Sequence, residues 1–160
     1  MKEQPLDRQV ESLELAVDAL SRAVTDLGDE RFLEPLQGWS TRDIVAHLIG
    51  WNRYVIKGSQ EIIRGELPFY DIDPGENYSK VNAILICKYP SEDPRELLRE
   101  LRQSAGDLKE FLLALDPEVW ASDFGVRHRE SVVTIKNTVK DLIEDYDHHR
   151  RQIDNKVKRG

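Results

Sequence analysis

The chain has 160 residues, with 23 lysines and arginines against 30 aspartates and glutamates and a formal charge of −7. Residues 1–160 suit one domain that buries about two-thirds of its unfolded surface, and the acidic excess repels a phosphate backbone, so nucleic acid is excluded as the expected partner. No stretch of about eighteen apolar residues occurs, which excludes a membrane-spanning helix, and the lone Cys87 cannot close an internal disulfide, in keeping with a cytoplasmic protein.

Leu6, Val10, Leu13, Val17, Leu20, Val24 and Leu27 recur in alternating steps of four and three, open after Pro5 and stop at Gly28, which predicts the first helix. The second begins at Ser40, where Ser-x-x-Asp lets the hydroxyl accept an amide proton while Asp43 faces the positive end of the helix dipole. It runs to about Arg64. Ile44, His47, Leu48, Trp51 and Val55 share one face, so His47 turns inward. Gly50 and Gly58 each weaken this helix by up to about 1 kcal/mol relative to alanine, and close packing is the simplest reason for them.

A long connection from Gly65 to about Asp93 carries Pro68, Pro74, Gly75 and Pro90 around an apolar middle, Tyr78 to Tyr89, that predicts a short extra helix. Cys87, following Ile84-Leu85-Ile86, reads as a small buried hydrophobe rather than a nucleophile. The third helix lies between Pro94 and Pro117 on Leu97, Leu98, Leu101, Ala105, Leu108, Phe111, Leu112 and Leu115. In the next connection, Ser122 to His128 is a loop or small hairpin, and His128, between two arginines, reads as solvated.

The fourth helix repeats Val132, Ile135, Val139, Leu142, Tyr146, His149 and Ile153 on one stripe and runs to about Val157. His149 is therefore core-facing, with Asp145 one turn before it on the flank; His148 falls on the polar side beside Glu144. The late cations Arg150, Arg151, Lys156, Lys158 and Arg159 are what the dipole of a helix C-terminus favours.

Buried imidazoles and carboxylates need partners, since an unpaired neutral polar group costs about 1–3 kcal/mol and a lone carboxylate far more. A divalent cation shared by His47, Asp145 and His149 satisfies all three; a simple His–Asp ion pair is the plain alternative. Gln152 is placed to hold an imidazole in one tautomer, Trp51 and Tyr54 to line the adjoining pocket, with Tyr54 at its floor. No serine, cysteine or lysine presents a nucleophile signature, so no catalytic side chain is assigned.

The run Gly38-Trp39-Ser40-Thr41-Arg42-Asp43-Ile44-Val45-Ala46-His47-Leu48-Ile49-Gly50-Trp51, followed about a hundred residues later by His148-His149-Arg150-Arg151-Gln152-Ile153, resembles the DinB/YfiT-like family of helical metalloproteins over almost the whole chain. The resemblance implies an all-α four-helix bundle, up-down-down-up, with a long crossover between helices 2 and 3 that suits parallel neighbours. It also implies a metal held by one histidine of helix 2 and a His-x-x-x-His pair of helix 4. Those positions are His47, Asp145 and His149 here, with aspartate, an accepted oxygen ligand for zinc, nickel, manganese or iron, in the middle. Relatives that transfer thiols imply a small-molecule substrate and a low-molecular-weight thiol, in thiol transfer or metal-assisted hydrolysis. The other readings are a non-catalytic small-molecule-binding or stress-response bundle, with a structural metal or none, and a homodimer joined through Trp39, Trp51 or Phe69.

Overall fold

The computed structural model describes residues 4–159. Among the described residues six α-helices form: α1 (Pro5–Leu27), α2 (Thr41–Ile63), α3 (Ser79–Lys88), α4 (Pro94–Leu113), α5 (Pro117–Ala121) and α6 (Ile135–Lys158). Strands β1 (Arg127–His128) and β2 (Ser131–Val132) pair as a small antiparallel hairpin.

Local chemistry sets most of these ends. Pro5 and Pro94 occupy first-turn positions whose missing amide costs nothing there. Ser40 and Asp43 make the reciprocal cap of α2: the Asp43 amide donates to Ser40 Oγ at 3.1 Å and the Ser40 amide to Asp43 Oδ2 at 3.2 Å. Thr134 caps α6 by accepting from the Asn137 amide at 3.0 Å. This cap corrects the expected start of the last helix. Val132, expected on its stripe, is exposed in β2, because Thr134 is extended and starts the helical hydrogen bonds three residues later than the hydrophobic spacing implied.

Cross-chain contacts fix the topology. Gln9 Nε2 donates to the Lys136 carbonyl at the start of α6, and Arg31, just past α1, donates to the Lys156 carbonyl near its end, so α1 and α6 run parallel. Asp18 pairs with Arg102 and Glu14 with Lys109, making α1 and α4 antiparallel. Arg42 reaches the Ser91 carbonyl just before α4, while Asn52 and Arg53 meet Ser104 and Asp107 farther along, so α2 and α4 are parallel. The bundle is up-down-down-up, with α1 and α2 each lying between α4 and α6. Leu13, Leu20, Ile44, Leu48, Leu101, Leu108, Tyr146 and Ile153 meet in its core. A polar chain crosses that core: Tyr146 Oη donates to Asn52 Oδ1 (2.8 Å), Asn52 Nδ2 to Ser104 Oγ (3.0 Å), and Ser104 Oγ to the Leu101 carbonyl (3.0 Å).

The crossover between α2 and α4 supplies α3 and two single 3-10 turns, at Phe69–Asp71 and Glu76–Tyr78. Both glycines inside α2 face it. A Cβ on Gly50 would stand 2.4 Å from Leu85 Cδ2, and one on Gly58 would stand 2.5 Å from the Tyr70 ring. Their packing is against the crossover rather than another bundle helix. Val81, Asn82 and Leu85, at i, i+1 and i+4, bury one face of α3 and leave Cys87 exposed, so Cys87 is not the core hydrophobe its apolar neighbours suggested. Arg42, itself buried, ties down the end of α3 by donating to the carbonyls of Ile86, Tyr89 and Ser91. Among the described residues no helix is long and apolar enough to cross a membrane.

Candidate metal centre

Antiparallel packing brings the inward face of α2 against that of α6, and three side chains converge where they meet. Asp145 Oδ2 lies 2.7 Å from His47 Nε2, and Asp145 Oδ1 lies 3.3 Å from His149 Nε2. One ligand atom from each of the three residues can be chosen so that all lie within 4.8 Å of one another, and the imidazole centroids are 5.2 Å apart. Both histidines are buried, at 4% and 7% exposure.

The far nitrogen of each ring is also held. His47 Nδ1 lies 3.0 Å from Asn82 Oδ1, and the same oxygen accepts from Trp51 Nε1 at 2.8 Å. Indole nitrogen only donates, so it identifies that atom of Asn82 as the oxygen and makes His47 Nδ1 the proton donor. His149 Nδ1 lies 2.7 Å from Gln152 Oε1 in the same relation. Each ring therefore turns Nε2 toward Asp145. A bare Nε2 lone pair 2.7 Å from a carboxylate oxygen would be repulsive, so a positive centre belongs between them, either a proton or a metal ion. Burial pushes the Asp145 carboxyl up, but hydrogen bonds from His149 and His47 outweigh it and hold the group well below its ordinary value.

Zinc bound at about 2.0–2.2 Å in tetrahedral geometry sets its ligand atoms about 3.3–3.5 Å apart. The His149–Asp145 spacing of 3.3 Å already matches, and the His47–Asp145 spacing of 2.7 Å is that of a direct hydrogen bond. Two nitrogens, a carboxylate and amide oxygens behind both rings are the donor set and support that a borderline divalent ion takes.

Of the other expected residues, Gln152 touches His149 and Trp51 lines the cleft beside the cluster. Tyr54 does not. It stands behind Trp51, packed on Phe69 at 4.7 Å, because its position on α2 faces the crossover rather than the cleft. His148 is exposed, and His128, expected in solvent, instead lines the cleft with Nδ1 3.8 Å from Asp71 Oδ1. The hairpin folds it back over the bundle. Sequence reasoning missed Trp39, whose ring lies 5.0 Å from His47 and 5.9 Å from His149, and Asn82. The one available signal for Asn82 was a polar residue inside the apolar stretch of the crossover.

The cleft has a volume of about 550 Å³, and His47 and Asp145 open onto it. Trp51, Tyr70, Asp71 and Tyr78 form one wall; His128, Arg129 and Asp141 belong to the hairpin and α6 side.

The all-α four-helix bundle, up-down-down-up with a long crossover between its second and third long helices, is that of the DinB/YfiT-like class. Within it, the family model described as "Mycothiol maleylpyruvate isomerase N-terminal domain" matches residues 13–149, and the chain belongs to that family. No curated protein and no solved structure matches the chain.

Proposed function

We propose that His47, Asp145 and His149 hold a divalent metal ion, of the zinc, nickel, manganese or iron group, at the edge of a cleft where a low-molecular-weight thiol meets a small electrophile. The observation that carries this reading is the paired anchoring: both imidazoles have Nδ1 fixed on an amide oxygen and Nε2 aimed at one carboxylate. A bound divalent ion with an open position supplies Lewis acidity and favours the ionised form of a thiol or water placed there.

The chain's own residues do the rest. Asn82 and Gln152 keep the imidazoles in one tautomer, and Trp39 covers their rings. Asp145, partly exposed where the histidines are buried, stays ionised and neutralises part of the added charge. The one thiol of the chain, Cys87, is exposed on α3 and does not line the cleft, so the nucleophile arrives with the substrate. The family takes its name from a mycothiol maleylpyruvate isomerase, which supports a thiol as the ligand class. Thiol transfer and metal-assisted hydrolysis both suit the cleft, and transfer is the reading that the thiol favours.

Metal content of protein purified without a chelating tag tests the first half. His47→Ala and His149→Ala should each lose the metal while remaining folded. Thiol conjugation to a chromogenic electrophile tests the second half: it should stop with chelator and return with the same ion. Turnover surviving complete metal removal overturns the mechanism, and tight binding of thiol without metal favours a sequestering role instead.

A further inference from the structure

The wall of the cleft formed by the crossover is chemically distinct from the histidine cluster. Asp71 is a carboxylate with 7% exposure that nevertheless lines the cleft. Tyr78 Oη donates to its Oδ1 at 2.6 Å, and His128 Nδ1 stands off at 3.8 Å, beyond hydrogen-bond range. The second oxygen, Oδ2, accepts no hydrogen bond among the described residues. It is not among the enclosed, unpartnered side-chain atoms, so it reaches the cleft, where a donor or cation on a ligand can meet it.

Aromatic rings line the same wall. Trp51 stands nearly perpendicular to Tyr70, with centroids 5.0 Å apart and planes at 76°, and to Tyr78, at 5.4 Å and 85°. All three rings line the cleft. A cleft wall that combines aromatic rings with a carboxylate suits an ammonium group, through the quadrupoles of the rings and the charge of the acid. Away from the histidine cluster the cleft is lined by the carboxylates of Asp71 and Asp141, with Arg129, which is exposed, as its one lysine or arginine and His128 as its one further imidazole. The backbone on both sides of the cleft is also set at some cost. Asn77, Tyr78, Arg129 and Glu130 are the non-glycine residues with left-handed φ among those described, at 52°, 61°, 50° and 70°, and the first three line the cleft.

We infer that the cleft contains a second subsite, Asp71 with the faces of Trp51, Tyr70 and Tyr78, that takes a substituted ammonium group of the small molecule whose other end reaches the histidine cluster. This rests on the cleft being the ligand site proposed above, and it adds the charge of the ligand. Arg129 at the rim sets the opposite preference weakly, because an exposed guanidinium is screened by solvent where buried Asp71 is not.

The test uses the metal-loaded full chain and three thiols, with binding followed by tryptophan fluorescence. Thiocholine carries a quaternary ammonium that cannot chelate metal; 3,3-dimethylbutanethiol is its uncharged counterpart; 3-mercaptopropionate is the anionic one. Thiocholine should bind at least tenfold tighter than the neutral thiol, and 3-mercaptopropionate no tighter. Asp71→Asn keeps an acceptor for Tyr78 and should erase the tenfold preference while leaving the neutral thiol within twofold. Arg129→Ala should widen the preference. Equal binding of thiocholine and the neutral thiol overturns the subsite, as does a preference that survives Asp71→Asn, and a preference for 3-mercaptopropionate that is lost in Arg129→Ala assigns the wall to anions instead. If no thiol binds, the proposed function fails separately. The subsite is then judged on metal-free protein with tetramethylammonium chloride against sodium chloride: binding abolished by Asp71→Asn supports it, and no binding overturns it.

Discussion

Replacing Asn82 by leucine removes one oxygen that serves two donors, Trp51 Nε1 at 2.8 Å and His47 Nδ1 at 3.0 Å. The two losses are unequal. Trp51 lines the cleft and is half-buried, so water can take the place of Asn82 at the indole. His47 is 4% exposed, and its Nδ1 has no such recourse, so the cost there is the full penalty of an unpaired buried donor, about 1–3 kcal/mol. At roughly 2–4 °C per kcal/mol for a chain of this size, thermal unfolding should shift down by about 2–12 °C. The functional effect is larger. With Nδ1 released, the ring can take the other tautomer or rotate, and metal affinity should fall by about 10- to 100-fold, the usual cost of removing a partner behind a ligand. Competition with a chromogenic chelator measures that affinity directly, and scanning calorimetry gives the stability. Asn82→Asp preserves the acceptor and serves as the control, with affinity kept near wild type. An Asn82→Leu protein that unfolds at a lower temperature yet holds metal within twofold of wild type would refute the role given to Asn82, leaving it a packing residue only.

Three further outcomes are expected. Because the folded-state Asp145 carboxyl is held below its ordinary value, its contribution to stability is present above about pH 4, the unfolded value, and is lost as pH falls below it; urea midpoints from pH 6 to pH 2 should fall less steeply in Asp145→Asn than in wild type. Gly50→Ala should destabilise by about 1–3 kcal/mol in chemical denaturation although alanine is the better helix former, since its Cβ would meet Leu85 at 2.4–2.8 Å, and Leu85→Ala in the same chain should return part of the loss. Tyr146→Phe strips the donor from Asn52 Oδ1 in the middle of the bundle and should cost about 1–3 kcal/mol, read as a lowered denaturation midpoint with an unchanged slope.

The bundle was legible because its signals are local and periodic. Stripes of leucine and valine place α1 and α4 to within a residue or two, and the Ser40–Asp43 pair marks the start of α2 by a hydrogen-bond exchange that needs no distant partner. The convergence of His47 with Asp145 and His149 could be read because each lies on or beside an inward stripe and the up-down-down-up order sets those stripes face to face. Positions settled by tertiary contact were not legible. Tyr54 and Trp51 are three residues apart on one helix, and only the path of the crossover decides that one lines the cleft and the other backs it. His128 turns inward because a two-residue hairpin reverses the chain with left-handed φ at Arg129 and Glu130, residue types that give no turn signal of their own. Val132 had the right spacing for a helix and lost to the cap at Thr134.

Asn82 and the Tyr70–Tyr78 wall travel on one stretch of chain, pressed onto α2 at Gly50 and Gly58 and fastened at its end by Arg42. If the cleft works as proposed, ligand choice and metal orientation rest on this one crossover. A crossover transplanted from another bundle to change what the cleft accepts would carry its own neighbour for His47, so each new specificity would arrive with a retuned centre, and the two properties could drift only together.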